Sequence, residues 1–133
     1  ETLSSISVSF TFLSADFKNH PFSQFIKDLL IKMSKNSFEI HLISNLRPED
    51  YDQMSYELKK IVNKWHDIQK FSDTQAVNYL RSLKIDVLFD LSGFTKGNRL
   101  ELIAKRCART QIEWLGYNNS LGFKNLDYLI DRI

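Results

Sequence analysis

Three polar segments of the sequence carry residues able to do chemistry. The first, SADFKNHPF (Ser14–Phe22), places His20 directly before Pro21, where an apolar run gives way to a helical pattern. An imidazole at a helix N-terminus faces free backbone N–H groups and the positive end of the macrodipole, which disfavours its cation. A neutral His20 there can accept a proton or hydrogen-bond a hydroxyl, and it can equally serve as a plain cap. The second segment, LSGFTKGNR (Leu91–Arg99), sets Lys96 between Gly93 and Gly97. A Walker loop needs its lysine after the second glycine, so this is not one. A glycine-containing bend that opens a helix suits an anion or a sugar hydroxyl as well as it suits a tight strand-to-helix turn. The third, WLGYNNSLG (Trp114–Gly122), flanks Leu115 and Gly116 with Trp114 and Tyr117. Either a ligand approaches the backbone at the glycine between two aromatic rings, or a core tryptophan is followed by a turn.

Other residue types exclude more than they offer. Cys107 is the sole cysteine, which rules out an intramolecular disulfide and any multi-cysteine metal site. The three histidines, His20, His41 and His66, are far apart in sequence, so no metal site is expected. Asp86 and Asp90 have no obvious acidic partner, which leaves a glycosidase-like carboxylate pair unsupported. Lys105, Arg106 and Arg109 read as a solvated helix face rather than a phosphate clamp. Asn118-Asn119-Ser120 fits a glycosylation sequon that is discounted without a secretory signal.

The elements that must position these segments follow from periodicity. Ile6–Leu13 alternates apolar and polar residues and predicts a strand. Pro21 then marks a first helical position, with His20 as N-cap or its neighbour, and Phe22, Phe25, Ile26, Leu29, Leu30 and Met33 form one apolar stripe. Phe38–Ser44 predicts a second strand, Arg47–Asp50 a turn, and Asp52–Asn63 a helix. Trp65–Ile68 predicts a short strand, and Ser72-Asp73 opens a helix with Ala76, Val77, Leu80 and Leu83 inward. Ile85–Leu91 is nearly continuously apolar, as a central parallel strand should be. A helix over Arg99–Arg106 and strands over Thr110–Leu115 and Leu126–Ile130 complete the pattern. Strands alternating with helices imply βαβ units. The expected fold is one α/β domain over residues 1–133, a Rossmann-like, mostly parallel sheet with helices on both faces. In such a sheet the three polar segments all leave carboxyl ends of strands, where ligands bind.

Composition agrees with a soluble globule: 133 residues, 43% hydrophobic and 26% charged. Eighteen basic against sixteen acidic residues give a net charge of +2, scattered along the chain, so no nucleic-acid partner is expected. No apolar run approaches the ~20 residues of a membrane span, and the first residues lack the features of a signal peptide. These point to a cytoplasmic protein with no membrane partner. The chain opens on Glu1 rather than methionine, and a piece of a longer protein is expected.

Taken together and in order, S-A-D-F-K-N-H-P, D-V-L-F-D-L-S-G-F-T-K-G-N-R, Q-I-E-W-L-G-Y-N-N-S-L-G and D-Y-L-I-D resemble the catalytic region of the O-linked N-acetylglucosamine transferases. That family includes plant SPINDLY-type and bacterial TPR-linked members, and the similarity covers nearly the whole chain. The resemblance implies the N-terminal lobe of a two-lobed GT-B glycosyltransferase, facing acceptor and sugar. Such enzymes transfer GlcNAc from UDP-GlcNAc, or fucose in the SPINDLY branch, to Ser/Thr hydroxyls of proteins, with inversion and with neither metal nor cofactor. By motif match, His20 and Pro21 fall on the family's active-site His-Pro pair. Leu115 and Gly116, followed by Tyr117, fall on the stretch beside the donor sugar. Thr95 and Lys96 belong to the matching loop and are counted with the substrate-binding residues, without a definite role. The implied partners are a nucleotide-sugar donor, a protein acceptor, and the C-terminal lobe and TPR repeats of a parent chain. The donor would be bound mainly by that C-terminal lobe, so this chain alone is expected to fold and not to turn over.

The sequence departs from the family at three places. Thr11 stands where a glycine is usual, and Arg106-Cys107-Ala108-Arg109 replaces RPAP. Gly116-Tyr117-Asn118-Asn119-Ser120-Leu121-Gly122 replaces GYPGT(S/T)G, which removes a Pro-Gly constraint from a loop implied to approach the donor. Two other readings therefore stand beside the transferase. One is a non-catalytic module of the same fold that binds a glycan or a protein. The other is an unrelated flavodoxin-like nucleotide-binding domain, against which the missing G-x-G-x-x-G counts.

Overall fold

The computed structural model describes residues 8–92, 99–114 and 128–130. Among these residues six strands, β1 (Ser9–Ser14), β2 (Glu39–Ser44), β3 (Lys64–Asp67), β4 (Ile85–Asp90), β5 (Ala108–Trp114) and β6 (Tyr128–Ile130), form one sheet. Among the described residues four helices accompany them: α1 (Ser23–Ser34), α2 (Gln53–Ile61), α3 (Asp73–Ser82) and α4 (Leu100–Ala104). The turn predicted at Arg47–Asp50 is a single 3₁₀ turn over Pro48–Asp50. Sheet order is β3-β2-β1-β4-β5-β6 and every pairing is parallel. This is the doubly wound nucleotide-fold order, not the 2-1-3-4-5 order of a flavodoxin.

Side-chain alternation along the strands builds two cores, one on each face of the sheet. On one face Phe12, Ile40, Leu42 and Trp114 pack against Ile26 and Leu30 of α1 and Leu58 of α2. On the other, Leu13, Ile43 and Leu88 pack against Ala76, Val77 and Leu80 of α3 and Leu102 and Ile103 of α4. Leu30, Leu42, Leu58, Leu80 and Leu88 are wholly buried, each stabilising the fold by about 1.5–3 kcal/mol relative to exposure. β4 lies between β1 and β5, the central position its apolar run predicts.

Local chemistry sets the helix ends. Asp52 accepts from the Ser55 N–H at 3.2 Å while the Asp52 N–H donates to Ser55 Oγ at 3.1 Å, a reciprocal capping box at the start of α2. Ser72 and Gln75 make the same exchange at α3. At the other ends, Ser37, Lys84 and Arg106 take left-handed conformations, with φ of 66°, 56° and 52°. Such a conformation costs a non-glycine residue about 1–2 kcal/mol. The left-handed Arg106 follows α4, which stops at Ala104 rather than continuing to Arg106, and lets β5 begin at Ala108, ahead of the predicted Thr110.

Candidate functional site

From β1 the chain winds outward to β3 with α1 and α2 on one face. It then crosses to β4 and winds the other way with α3 and α4 on the opposite face. The carboxyl ends of β1 and β4 are therefore the topological switch point, where doubly wound sheets bind ligands. Two of the three polar segments leave the sheet there, and they are tied together. The Leu91 N–H donates to the Leu13 carbonyl at 2.9 Å and the Ala15 N–H donates to Ser92 Oγ at 3.1 Å.

The segment bearing His20 is held on all sides. The Asp16 N–H donates to Ser14 Oγ at 2.9 Å, Ser55 Oγ donates to the Phe17 carbonyl at 2.6 Å, and Ser23 Oγ donates to the Lys18 carbonyl. The Asn19 N–H donates to Asp52 Oδ2 at 2.9 Å, and this bond is the main reason the Asp52 carboxyl lies below its ordinary range. One aspartate thus caps α2 and fixes the residue before His20. Phe17, 3% exposed, anchors the middle of the segment beside the Trp65 ring.

His20 itself differs from the sequence expectation by two residues. Helix α1 begins at Ser23 with Phe22 as N-cap, and Pro21 is not its first residue. Instead the Ser23 N–H donates to the His20 carbonyl at 2.9 Å, so residues 20–23 form a turn with Pro21 in its second position, a place its fixed φ suits. The Phe22 N–H donates to His20 Nδ1 at 3.3 Å. With Nδ1 accepting, the neutral imidazole carries its proton on Nε2, which lies 4.0 Å from Asp16 Oδ2, beyond hydrogen-bond reach. The ring is 36% exposed. His20 is therefore not the cap of α1: its Nδ1 accepts within the preceding turn, and among the described residues no hydrogen-bond partner reaches its Nε2–H. Pro21 is exposed beside it. Thr95, Lys96, Leu115, Gly116 and Tyr117, and the departing Asn118–Ser120, lie outside the described residues.

At the end of β5 the structure corrects the reading of Asp90. Parallel pairing sets Glu113 opposite Asp90, so the aspartate does have an acidic neighbour. Glu113 is wholly buried, and among the described residues no donor reaches either of its carboxyl oxygens. Burial first, then the hydrogen bond and charge of Asp90, hold its carboxyl far above the ordinary range. Glu113 is thus a neutral acid at pH 7, set beside Asp90 in the sheet. The pair supports the end of β4, whose Asp90 Oδ1 also accepts from the Ser92 N–H at 3.1 Å. Trp114 resolves to its core reading, 9% exposed beside Phe25 and Phe89.

Two histidines distant in sequence meet on β2 and β3. His41 Nε2 lies 2.8 Å from Glu39 Oε2, His41 Nδ1 lies 3.0 Å from His66 Nε2, and His66 Nδ1 lies 2.5 Å from the Tyr79 hydroxyl. The Glu39 carboxylate fixes the His41 proton on Nε2. His41 Nδ1 then accepts from His66 Nε2–H, and His66 Nδ1 accepts from Tyr79 O–H. Burial, with lesser contributions from His41 and Lys64, pushes His66 down to about 4. Among the described residues no three His, Cys, Asp or Glu side chains gather as a metal-binding group.

The basic residues near α4 are not a helix face. Arg106 follows the helix in its left-handed turn and donates to the carbonyls of Ala108 and Arg109 at 3.2 and 2.9 Å. With Arg109 and Lys84 it lines a depression of about 470 Å³ at the amino ends of β4 and β5, on the edge of the sheet opposite the switch point. Cys107 is buried, its thiol pushed up to about 11, which makes it unreactive. No helix among the described residues is long and apolar enough to cross a membrane.

A 3-2-1-4-5-6 parallel sheet with polar segments collected at its switch point defines a doubly wound, Rossmann-like domain. The family model for glycosyl transferase family 41 matches residues 2–133, and the chain belongs to that family. It is 29% identical over 122 residues to a protein of Oryza sativa subsp. japonica described as probable UDP-N-acetylglucosamine–peptide N-acetylglucosaminyltransferase SPINDLY, covering 90% of this chain and 13% of that protein. The Arabidopsis thaliana SPINDLY protein is 29% identical over 126 residues, covering 92% of this chain and 14% of the relative. The Arabidopsis protein SEC, with the same description, is 25% identical over 119 residues, covering 90% and 12%. Among solved structures, a mutant of the Thermobaculum terrenum O-GlcNAc transferase aligns with a TM-score of 0.85 at 26% identity, over 92% of this chain and 23% of that one. The chain spans about an eighth of the curated relatives' length and corresponds to the N-terminal portion of the family's catalytic region.

Proposed function

We propose that this chain is the N-terminal, acceptor- and sugar-facing lobe of a protein O-glycosyltransferase that moves GlcNAc from UDP-GlcNAc to Ser/Thr hydroxyls. The observation that carries the reading is His20, placed at the switch point with Nδ1 occupied by the Phe22 N–H and with no hydrogen-bond partner on Nε2–H among the described residues. In that tautomer His20 donates rather than accepts. Its part is to orient the sugar or the acceptor by a hydrogen bond, rather than to remove the hydroxyl proton. The acceptor oxygen bonds to the anomeric carbon as the bond from that carbon to the diphosphate breaks, which inverts the centre; the hydroxyl proton passes to the departing diphosphate, and UDP is released. Catalysis comes from positioning and from charge stabilisation.

In this reading Pro21 sets the His20 turn, Leu115, Gly116 and Tyr117 lie beside the donor sugar, and Thr95 and Lys96 are counted with the substrate-binding residues without a definite role. The nucleotide is held mainly by the C-terminal lobe of a parent chain, whose TPR repeats recruit the protein acceptor. The reaction is cytoplasmic and needs no metal or cofactor. The test is transfer of labelled GlcNAc by the parent protein to peptides, with the anomeric configuration of the product read by NMR. A β-linked product supports the proposal. An α-linked product removes inversion, and no transfer from UDP-GlcNAc or GDP-fucose removes the transferase. The substitution of Tyr117-Asn118-Asn119-Ser120 for the family's Tyr-Pro-Gly-Thr favours one second reading, a lobe of this fold that binds a glycan or protein without turnover. Saturable donor or glycan binding without transfer distinguishes it.

A further inference from the structure

The whole chain carries a net charge of only +2, yet one hollow gathers more than that. Arg81, Lys84, Arg106 and Arg109 line the depression of about 470 Å³ at the amino ends of β4 and β5. Against them stands a single carboxylate among the described lining residues, Asp86. Its Oδ2 is already engaged by β1, accepting from the Ser9 N–H at 3.3 Å and from Ser9 Oγ at 3.2 Å.

Two of the four cations are braced. Arg81 Nε donates to the Arg106 carbonyl at 3.0 Å and Arg81 Nη2 donates to the Lys105 carbonyl. Arg106 Nη1 donates to the carbonyls of Ala108 and Arg109. These bonds fix the planes of two guanidinium groups, whose fork matches the paired oxygens of a phosphate. The other two cations are exposed, and neither Lys84 Nζ nor the Arg109 guanidinium meets a hydrogen-bond or ion-pair partner among the described residues. Ile85, Cys107 and Ala108, all buried, give the hollow an apolar wall. Its volume is that of a site for a small organic molecule, and an apolar wall with a few placed charges is the usual lining of one.

The backbone is a second, independent sign. Of the three left-handed non-glycine residues among those described, Lys84 and Arg106 both border this hollow. Glycine or asparagine takes that conformation more readily than a long cation, and such strain collects at functional sites. Arg109, in turn, stands where the RPAP stretch ends in proline, so this cation is a departure from the family pattern.

We propose that this depression binds a small organic molecule carrying a diphosphate or a longer phosphate chain. The phosphate oxygens meet the four cations, and the organic body lies against Ile85, Cys107 and Ala108. A diphosphate spans cations from α3, the turn before β4 and the start of β5, whereas a lone phosphate reaches only part of them. The inference goes beyond the transferase reading and does not rest on it.

The test is calorimetric titration of the parent protein with inorganic pyrophosphate and with ADP. The variants are Arg109→Ala and Lys84→Asn, singly and together. Neither side chain has a partner in the described fold, and asparagine takes the left-handed conformation more readily than lysine, so the unfolding midpoints should stay near that of wild type. Wild type is expected to bind both probes, ADP more tightly through its organic body, and more weakly as salt is raised. The double variant should lose affinity for both by at least about tenfold. Heat that remains in the double variant reports any other phosphate site of the parent protein. Equal binding by wild type and double variant overturns the proposal, and so does an absence of binding. Sulfate that binds as tightly as pyrophosphate would show a general cationic patch and overturn it as well. A phosphoserine peptide that binds in wild type and not in the double variant, while neither probe binds, would replace the small molecule with a phosphorylated protein.

Discussion

Replacing Glu113 by glutamine should stabilise the protein at neutral pH. Glu113 is wholly buried and its only acidic neighbour in the sheet register is Asp90. Folding therefore forces it to stay protonated, while in the unfolded chain it ionises near its ordinary value of 4.5. Because the folded carboxyl is raised, its contribution is complete below pH 4.5 and is lost as pH rises. From 4.5 to 7 the cost grows by about 1.4 kcal/mol per pH unit and reaches about 3 kcal/mol. Glutamine has nearly the same volume, cannot ionise, and can donate its amide N–H to Asp90. Burying the amide with part of its hydrogen bonding unmet returns about 1 kcal/mol. The net gain is about 2 kcal/mol at pH 7, and at pH 4.5 the variant is the less stable by about 1 kcal/mol. Urea unfolding of wild type and Glu113→Gln at pH 5, 6, 7 and 8 measures it. The wild-type stability should decline against the variant's as pH rises, and parallel curves would refute the argument that Glu113 is held neutral.

Two further outcomes follow from the packing and the histidine chain. His66 is neutral in the fold, pushed down to about 4 from an ordinary 6.5, so its stabilisation is present above 6.5 and is lost as pH falls toward 4. The loss is on the order of 2–3 kcal/mol once partial solvent screening is allowed for, and His66→Gln should flatten that acid limb. An NMR titration that places the His66 midpoint near 6.5 would contradict it. Leu88→Ala, at a wholly buried site between β1, β5 and α3, should cost about 2–5 kcal/mol in chemical denaturation, and a loss below 1 kcal/mol would show that the core there collapses around the gap.

Local pattern made most of the fold legible. The alternation from Ile6 and the apolar run from Ile85 predict β1 and β4, and Ser72 with Gln75 marks the start of α3 by a capping box. The strands and helices predicted from periodicity are present among the described residues. Differences arise where one residue type serves two geometries. Pro21 suits the first position of a helix and the second position of a turn equally, and the Ser23 bonds to His20 and Lys18 select the turn. Arg106 ends α4 in a left-handed conformation that glycine usually marks, and the chain's four glycines all lie outside the described residues. Pairings across the sheet were not legible at all. Asp90 meets Glu113, and His41 meets His66, only once strand order and register are fixed. Arg99 looked like the opening residue of a helix, because its acceptors on Asp73, Asn45, Ile68 and Phe71 converge only in the folded edge. Of the candidate site, the His20 segment and its meeting with the segment after β4 were readable from the rule that ligands bind at carboxyl ends of parallel strands.

The central claim, that His20 belongs to the active site of a glycosyltransferase and orients by its Nε2–H, is tested most directly by kcat for GlcNAc transfer in the parent protein carrying wild type, His20→Ala or His20→Gln. Thermal unfolding is measured alongside, to show that each variant folds. The account predicts a loss of at least 100-fold in His20→Ala with an unfolding midpoint near wild type, and partial recovery in His20→Gln, which retains an N–H donor. Transfer that is indifferent to both substitutions would contradict the account.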